Sequence, residues 1–151
     1  MNLPTMLRTA DGYFLAGKAI LDTQKNAVDF LKYYISPCAV NLAFACEIYL
    51  KYLYSIENQK AKAIKTHGLL DLFSELEATT QGKIKADYEK WTSLFSFDDC
   101  IKVHNRAFED FRYMYEDEKN GISIEPQSLY NLAVAIKNTC TMKQEEIENA
   151  D

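Results

Sequence analysis

Glycine and proline are scarce in this chain, five and three among 151 residues. Long helices joined by short turns need few of either. Histidine is rarer still, with only His67 and His104. Any site built on several imidazoles is therefore excluded. Basic residues are not in excess: the net charge is -5 and the isoelectric point is near 5.1. That balance disfavours non-specific binding to duplex nucleic acid, although a local basic patch is compatible with it. The four cysteines, Cys38, Cys46, Cys100 and Cys140, are scattered and make no Cys-x-x-Cys pair. There is no Walker A motif and no G-x-G-x-x-G, so nothing announces a phosphate cradle. Met1 to Met6 shows no basic segment followed by an apolar run, so no signal peptide is read. The expected setting is cytoplasmic, with free and largely buried thiols. The apolar stretch Cys38 to Tyr54 is too short to span a bilayer comfortably and is interrupted by Glu47 and Lys51, so no membrane contact is expected.

What the chain does have is apolar content, 48% of residues, in patterns of helical period. A mass of 17.4 kDa makes one domain, residues 1–151, the simplest organisation. The expected fold class is all-α, an up-and-down helical bundle of about five to six helices. A first helix is expected from about Thr5 to Tyr34, with a seam of Leu7, Phe14, Leu21 and Val28, each followed three residues on by Ala10, Gly17, Gln24 and Leu31. Ser36-Pro37 then restarts the chain as N-cap and first-turn proline, opening a second helix to about Glu57. Asn58 to Lys65 reads as an exposed connection, and Thr66 as the cap of a short helix facing inward through Leu69, Leu72, Phe73 and Leu76. A turn near Thr79–Gly82 leads to a fourth helix striped by Ile84, Tyr88, Trp91 and Phe95. A fifth starts at Ser96 to Asp98 and ends at Asn120-Gly121; Pro126 opens the last, with Leu129, Leu132, Ala133, Ile136 and Cys140 inside. Lys143 to Asp151 is an acidic tail expected to fray.

Chemistry could sit in two places. The second helix is apolar nearly all round, so it must be buried on most sides. A charge in such a place is normally paired. Glu47 and Lys51 lie four apart on one face. On the fifth helix, Asn105, Arg112 and Glu116 sit along one edge of the apolar arc, and Arg112 is the natural cross-helix partner for Glu47. The structural reading is an internal ion pair that fixes helix register. The functional reading is a polar seam of Glu47, Lys51, Arg112, Tyr113, Glu116 and His67 that binds a ligand. The second place is Cys100 with His104, one turn apart. Such a pair could activate a thiolate or make half a zinc site. Nothing supplies the other half, and buried cysteine is usually inert packing. No metal and no cofactor are expected.

Three segments resemble the HEPN superfamily of small helical domains. Asn41-Leu-Ala-Phe-Ala-Cys-Glu-Ile-Tyr-Leu-Lys51 looks like its buried second helix with Glu-x-x-x-Lys. Thr66-His-Gly-Leu-Leu-Asp-Leu-Phe73 is similar to the following helix start. Ala107-Phe-Glu-Asp-Phe-Arg-Tyr-Met-Tyr-Glu116 resembles an Arg-Tyr-x-Tyr-Glu segment of one subgroup. The resemblance implies a homodimeric bundle linked to toxin–antitoxin or defence systems, and in many members a metal-independent ribonuclease. That activity uses an Arg followed, after four to six residues, by a His. Arg8, Arg106 and Arg112 all fail this test, because none has a His at the required spacing. The expectation is a non-catalytic module for a partner protein, RNA or a nucleotide-like anion. The alternatives are a ribonuclease with an unconventional site and a plain structural bundle.

Overall fold

The computed structural model describes residues 2–23, 27–59, 64–112 and 124–150. The chain is all-α, and the described residues contain no strand. Helix α1 (Leu3–Asp22) is capped by Asn2, whose side chain accepts from the Thr5 N–H, with Pro4 in the first turn. A short turn α2 (Ala27–Asp29) runs through a π-helical segment (Phe30–Tyr34) into α3 (Ile35–Asn58). After α3 come α4 (Leu69–Ser74), α5 (Ala78–Glu89), α6 (Phe97–Val103), α7 (Ala107–Arg112) and α8 (Pro126–Glu148).

Helix α3 is the axis of the bundle. It packs on α1, α8, α7 and α4, while α5 and α6 pack on α8 and on each other. Cys38, Ala39, Leu42, Ala43, Ala45, Cys46, Tyr49, Leu50 and Leu53 are all fully buried. This matches a helix that is apolar nearly all round. The close approach of α1 depends on Gly17: a Cβ there would lie 2.7 Å from Leu42 Cγ. The inner face expected for α8 is as read, since Leu129, Leu132, Ala133, Ile136 and Cys140 are wholly buried. Tyr49 joins three helices. Its hydroxyl donates to Asp11 of α1 at 2.5 Å, and Lys137 of α8 donates to the same oxygen at 2.7 Å.

Several boundaries differ from the sequence reading, each for a local reason. The first helix stops at Asp22, with Thr23 as its C-cap, instead of running to Tyr34. Of the expected seam, Ala10, Phe14 and Gly17 are buried, while Val28 is 70% exposed. Ser36-Pro37 does not restart a helix; both residues lie inside the continuous run that enters α3. Proline removes a donor and crowds the carbonyl four residues back. Directly before it the ladder widens, and the Ile35 N–H bonds Phe30 O, five residues back. Ser36 donates to Phe111 O of α7 at 3.0 Å instead of capping. Thr79–Gly82 lies within α5, and Trp91 falls beyond its end, half exposed. The fifth helix is cut at His104–Arg106 into α6 and α7. The tail expected to fray continues as helix to Glu148, where Lys83 of α5 reaches Glu146 at 3.1 Å. Asn120-Gly121, Tyr113 and Glu116 lie outside the described residues.

Candidate functional site

Glu47 sits in the middle of α3 with its side chain only 3% exposed. Burial of a carboxylate demands a cation or donors. Two arrive at one oxygen: Lys51 Nζ donates to Oε1 at 2.8 Å, and His67 Nδ1 donates to it at 2.9 Å. A carboxylate only accepts, so the proton lies on Nδ1 and Nε2 is the ring nitrogen left over. The other carboxylate oxygen, Oε2, is buried without a hydrogen-bond partner among the described residues. His67 itself is half exposed, so the knot runs from the bundle interior to the surface.

The expected Glu47–Arg112 ion pair does not form. Arg112 is on the surface at the end of α7, its guanidinium 5.7 Å from the centre of the Phe108 ring. The reason is the break at His104. A continuous fifth helix would have kept Arg112 in register with the apolar arc; the turn gives α7 its own rotation. Of the six seam residues, the structure brings together Glu47, Lys51 and His67 and leaves Arg112 apart. Tyr113 and Glu116 are not among the described residues.

Beside His67 opens a cleft of about 320 Å³. One wall is the Thr66–Gly68 loop with Asp71 of α4; the other is Asn105, Arg106, Phe108 and Glu109. Asn105 ties the walls together. Its backbone carbonyl accepts from the Leu69 N–H at 3.0 Å, and its side-chain Oδ1 accepts from the Leu70 N–H at 2.8 Å. These two bonds replace the side-chain cap that Thr66 was expected to give α4. Gly68 leaves room at the junction, because a Cβ there would lie 2.6 Å from Asp71 Oδ2 and 2.9 Å from Asn105 Oδ1. Arg106 is held by Glu109 through Nη2 and Nε, at 2.7 and 3.2 Å. Phe108 stacks on Phe44 of α3, ring centres 4.5 Å apart, and Tyr13 of α1 meets Phe44 edge-on.

Sequence reasoning missed Thr66, Asp71, Arg106 and Glu109 as lining residues. Thr66 and Asp71 carried one sequence signal, their closeness to Gly68, and Arg106 and Glu109 carried none. Asn105 was read as an edge residue of a helix, whereas its carbonyl and amide oxygens are turned onto another element.

His104 and Cys100 form a different kind of polar centre. The His104 Nδ1–H donates to Cys100 O at 2.8 Å, and Nε2 accepts the Glu125 N–H at 3.3 Å. That fixes a neutral imidazole, and burial holds its pKa below the usual value. Although Cys100 Sγ is 3.5 Å from Nδ1, this nitrogen carries a proton directed at the carbonyl. No basic lone pair faces the thiol, whose pKa burial pushes up to about 12. The pair is therefore packing and not an activated nucleophile. Among the described residues, no group of three or more His, Cys, Asp and Glu gathers as metal ligands. Nor is any described helix long and apolar enough to cross a membrane.

These features define an α-helical bundle with one buried carboxylate linked through a histidine to a surface cleft. No family model, no curated protein and no solved structure matches the chain.

Proposed function

We propose that this protein is a non-catalytic HEPN-like binding module whose cleft between the Thr66–Asp71 segment and α7 contacts a partner protein. The carrying observation is the state of the cations around the site. Lys51 is committed to Glu47, and Arg106 is committed to Glu109. Each already faces a carboxylate, which weakens the pull of the site on the phosphates of RNA or of a nucleotide. Among the three ligand classes expected from the sequence, a protein surface fits best. The HEPN-like reading itself rests on the order and spacing of the three segments ending at Lys51, Phe73 and Glu116. A place in a toxin–antitoxin or defence pair is part of the same proposal, as is a homodimer.

One observation favours a second reading. His67 is oriented by a buried carboxylate through Nδ1, which is how an imidazole is poised for proton transfer at Nε2. A ribonuclease with an unconventional site would use it. Incubation of the purified protein with single-stranded RNA and tRNA decides between the two. Wild type, Arg112→Ala and His67→Ala should all leave the RNA intact, while a co-expressed product of a neighbouring gene should co-purify with the wild type. Cleavage that depends on His67 or Arg112 would overturn the non-catalytic reading.

A further inference from the structure

The cleft has acceptors to spare. Asp71 Oδ2 and Asn105 Oδ1 converge on one point above Gly68, 2.6 and 2.9 Å from where a Cβ would stand. No described residue donates to the Asp71 carboxylate. The Asn105 oxygen uses one lone pair on the Leu70 N–H and keeps the other. Across the cleft, Glu109 directs Oε2 to Arg106. The lining thus holds two carboxylates against one guanidinium that is already engaged. The whole chain adds to this sign, with a net charge of -5. Glycine at 68 is what leaves the space between the two oxygens open.

We infer that this cradle receives an arginine side chain of the partner protein, its planar fork donating to Asp71 Oδ2 and Asn105 Oδ1. The inference rests on the binding-module reading and names the chemistry of the ligand. A guanidinium suits the site because it presents several donors in one plane and carries a charge opposite to that of Asp71, an exposed carboxylate in the first turn of α4. Arginine also resists desolvation less than lysine, which favours it in a half-closed cleft. An acidic peptide or a phosphate would meet unpaired carboxylate instead.

The test uses the full chain, isotopically labelled, and a capped Gly-Arg-Gly tripeptide as probe, followed by amide chemical shifts. The citrulline tripeptide is the neutral, nearly isosteric control. The arginine probe should move the Gly68, Leu70 and Asn105 signals, and the citrulline probe should bind at least tenfold more weakly. Asp71→Asn should lose the same factor, whereas Asp22→Asn on α1, an equal change in charge, should leave binding unchanged. Gly68→Ala fills the cradle and should also weaken binding; the remaining amide spectrum reports whether the fold is kept. Equal binding of both tripeptides, or equal loss in Asp71→Asn and Asp22→Asn, would overturn the inference. So would shifts of the same amides by inorganic phosphate and not by the arginine probe, although the cleft would then still be a binding site. The RNA assay tests the non-catalytic reading independently of these outcomes.

Discussion

Glu47 and His104 look alike as letters, each a polar residue in an apolar helical stripe, and they have opposite fates. His104 is fully buried and every ring nitrogen is used, one as donor to Cys100 O and one as acceptor from Glu125. Glu47 is nearly as buried, yet among the described residues one oxygen carries two donors and the other carries none. A satisfied polar group closes a structure, because it has nothing left to offer. A group that is only half satisfied, and is linked to the surface through His67, keeps a free energy of interaction in reserve. The cleft meets Glu47 only through His67, and one of its walls begins at Asn105, directly after His104.

The largest expected effect breaks the Glu47 side of this comparison. Lys51→Met removes the one permanent cation from a carboxylate that is 3% exposed. It should cost about 3 kcal/mol in chemical denaturation, since an uncompensated charge stays buried. The cycle of Glu47→Ala with Lys51→Met should show strong coupling. A cost below about 0.5 kcal/mol would mean that Glu47 is paired in some other way.

Next comes the close-packed contact on the opposite face of α3. Gly17→Ala drives a methyl to 2.7 Å from Leu42 Cγ and 2.8 Å from its Cδ2. Overpacking of this sort costs about 1–3 kcal/mol. Thermal melting should show the loss, and Leu42→Val in the same chain should recover part of it. Gly12→Ala, whose Cβ meets nothing within 4 Å, should instead be neutral or stabilising.

His104 predicts a pH dependence of defined sign. Burial lowers its folded pKa below the ordinary value of 6.5. Below pH 6.5 the unfolded chain takes up a proton that the folded chain refuses. The contribution of neutral His104 is thus complete above that pH and shrinks as the pH falls through it. Denaturation midpoints measured from pH 7.5 down to 5 should fall more steeply for wild type than for His104→Gln. Identical slopes would show that the imidazole is not held neutral.

The smallest effect concerns Arg112. Its side chain is on the surface and does not reach Glu47, so the coupling energy between Arg112→Ala and Glu47→Ala should be below about 0.5 kcal/mol. A large coupling would restore the cross-helix ion pair expected from the sequence.

By itself the sequence determined the all-α class, the burial of α3 and the inner face of α8. These follow from the period of apolar residues along a single helix, which is a local property. It also determined that Glu47 and Lys51 meet, because one helical turn separates them. Only the tertiary structure decided what else reaches Glu47. The choice of His67 over Arg112 depends on the break at His104, and that break depends on groups distant in sequence. Glu125 holds the imidazole from 21 positions away, and Leu70 takes the Asn105 side chain from 35. Helical periodicity carries no information about such bonds. It extends a stripe through any residue that can be buried, and it continued the fifth helix through a turn whose hydrogen bonds are satisfied by other elements.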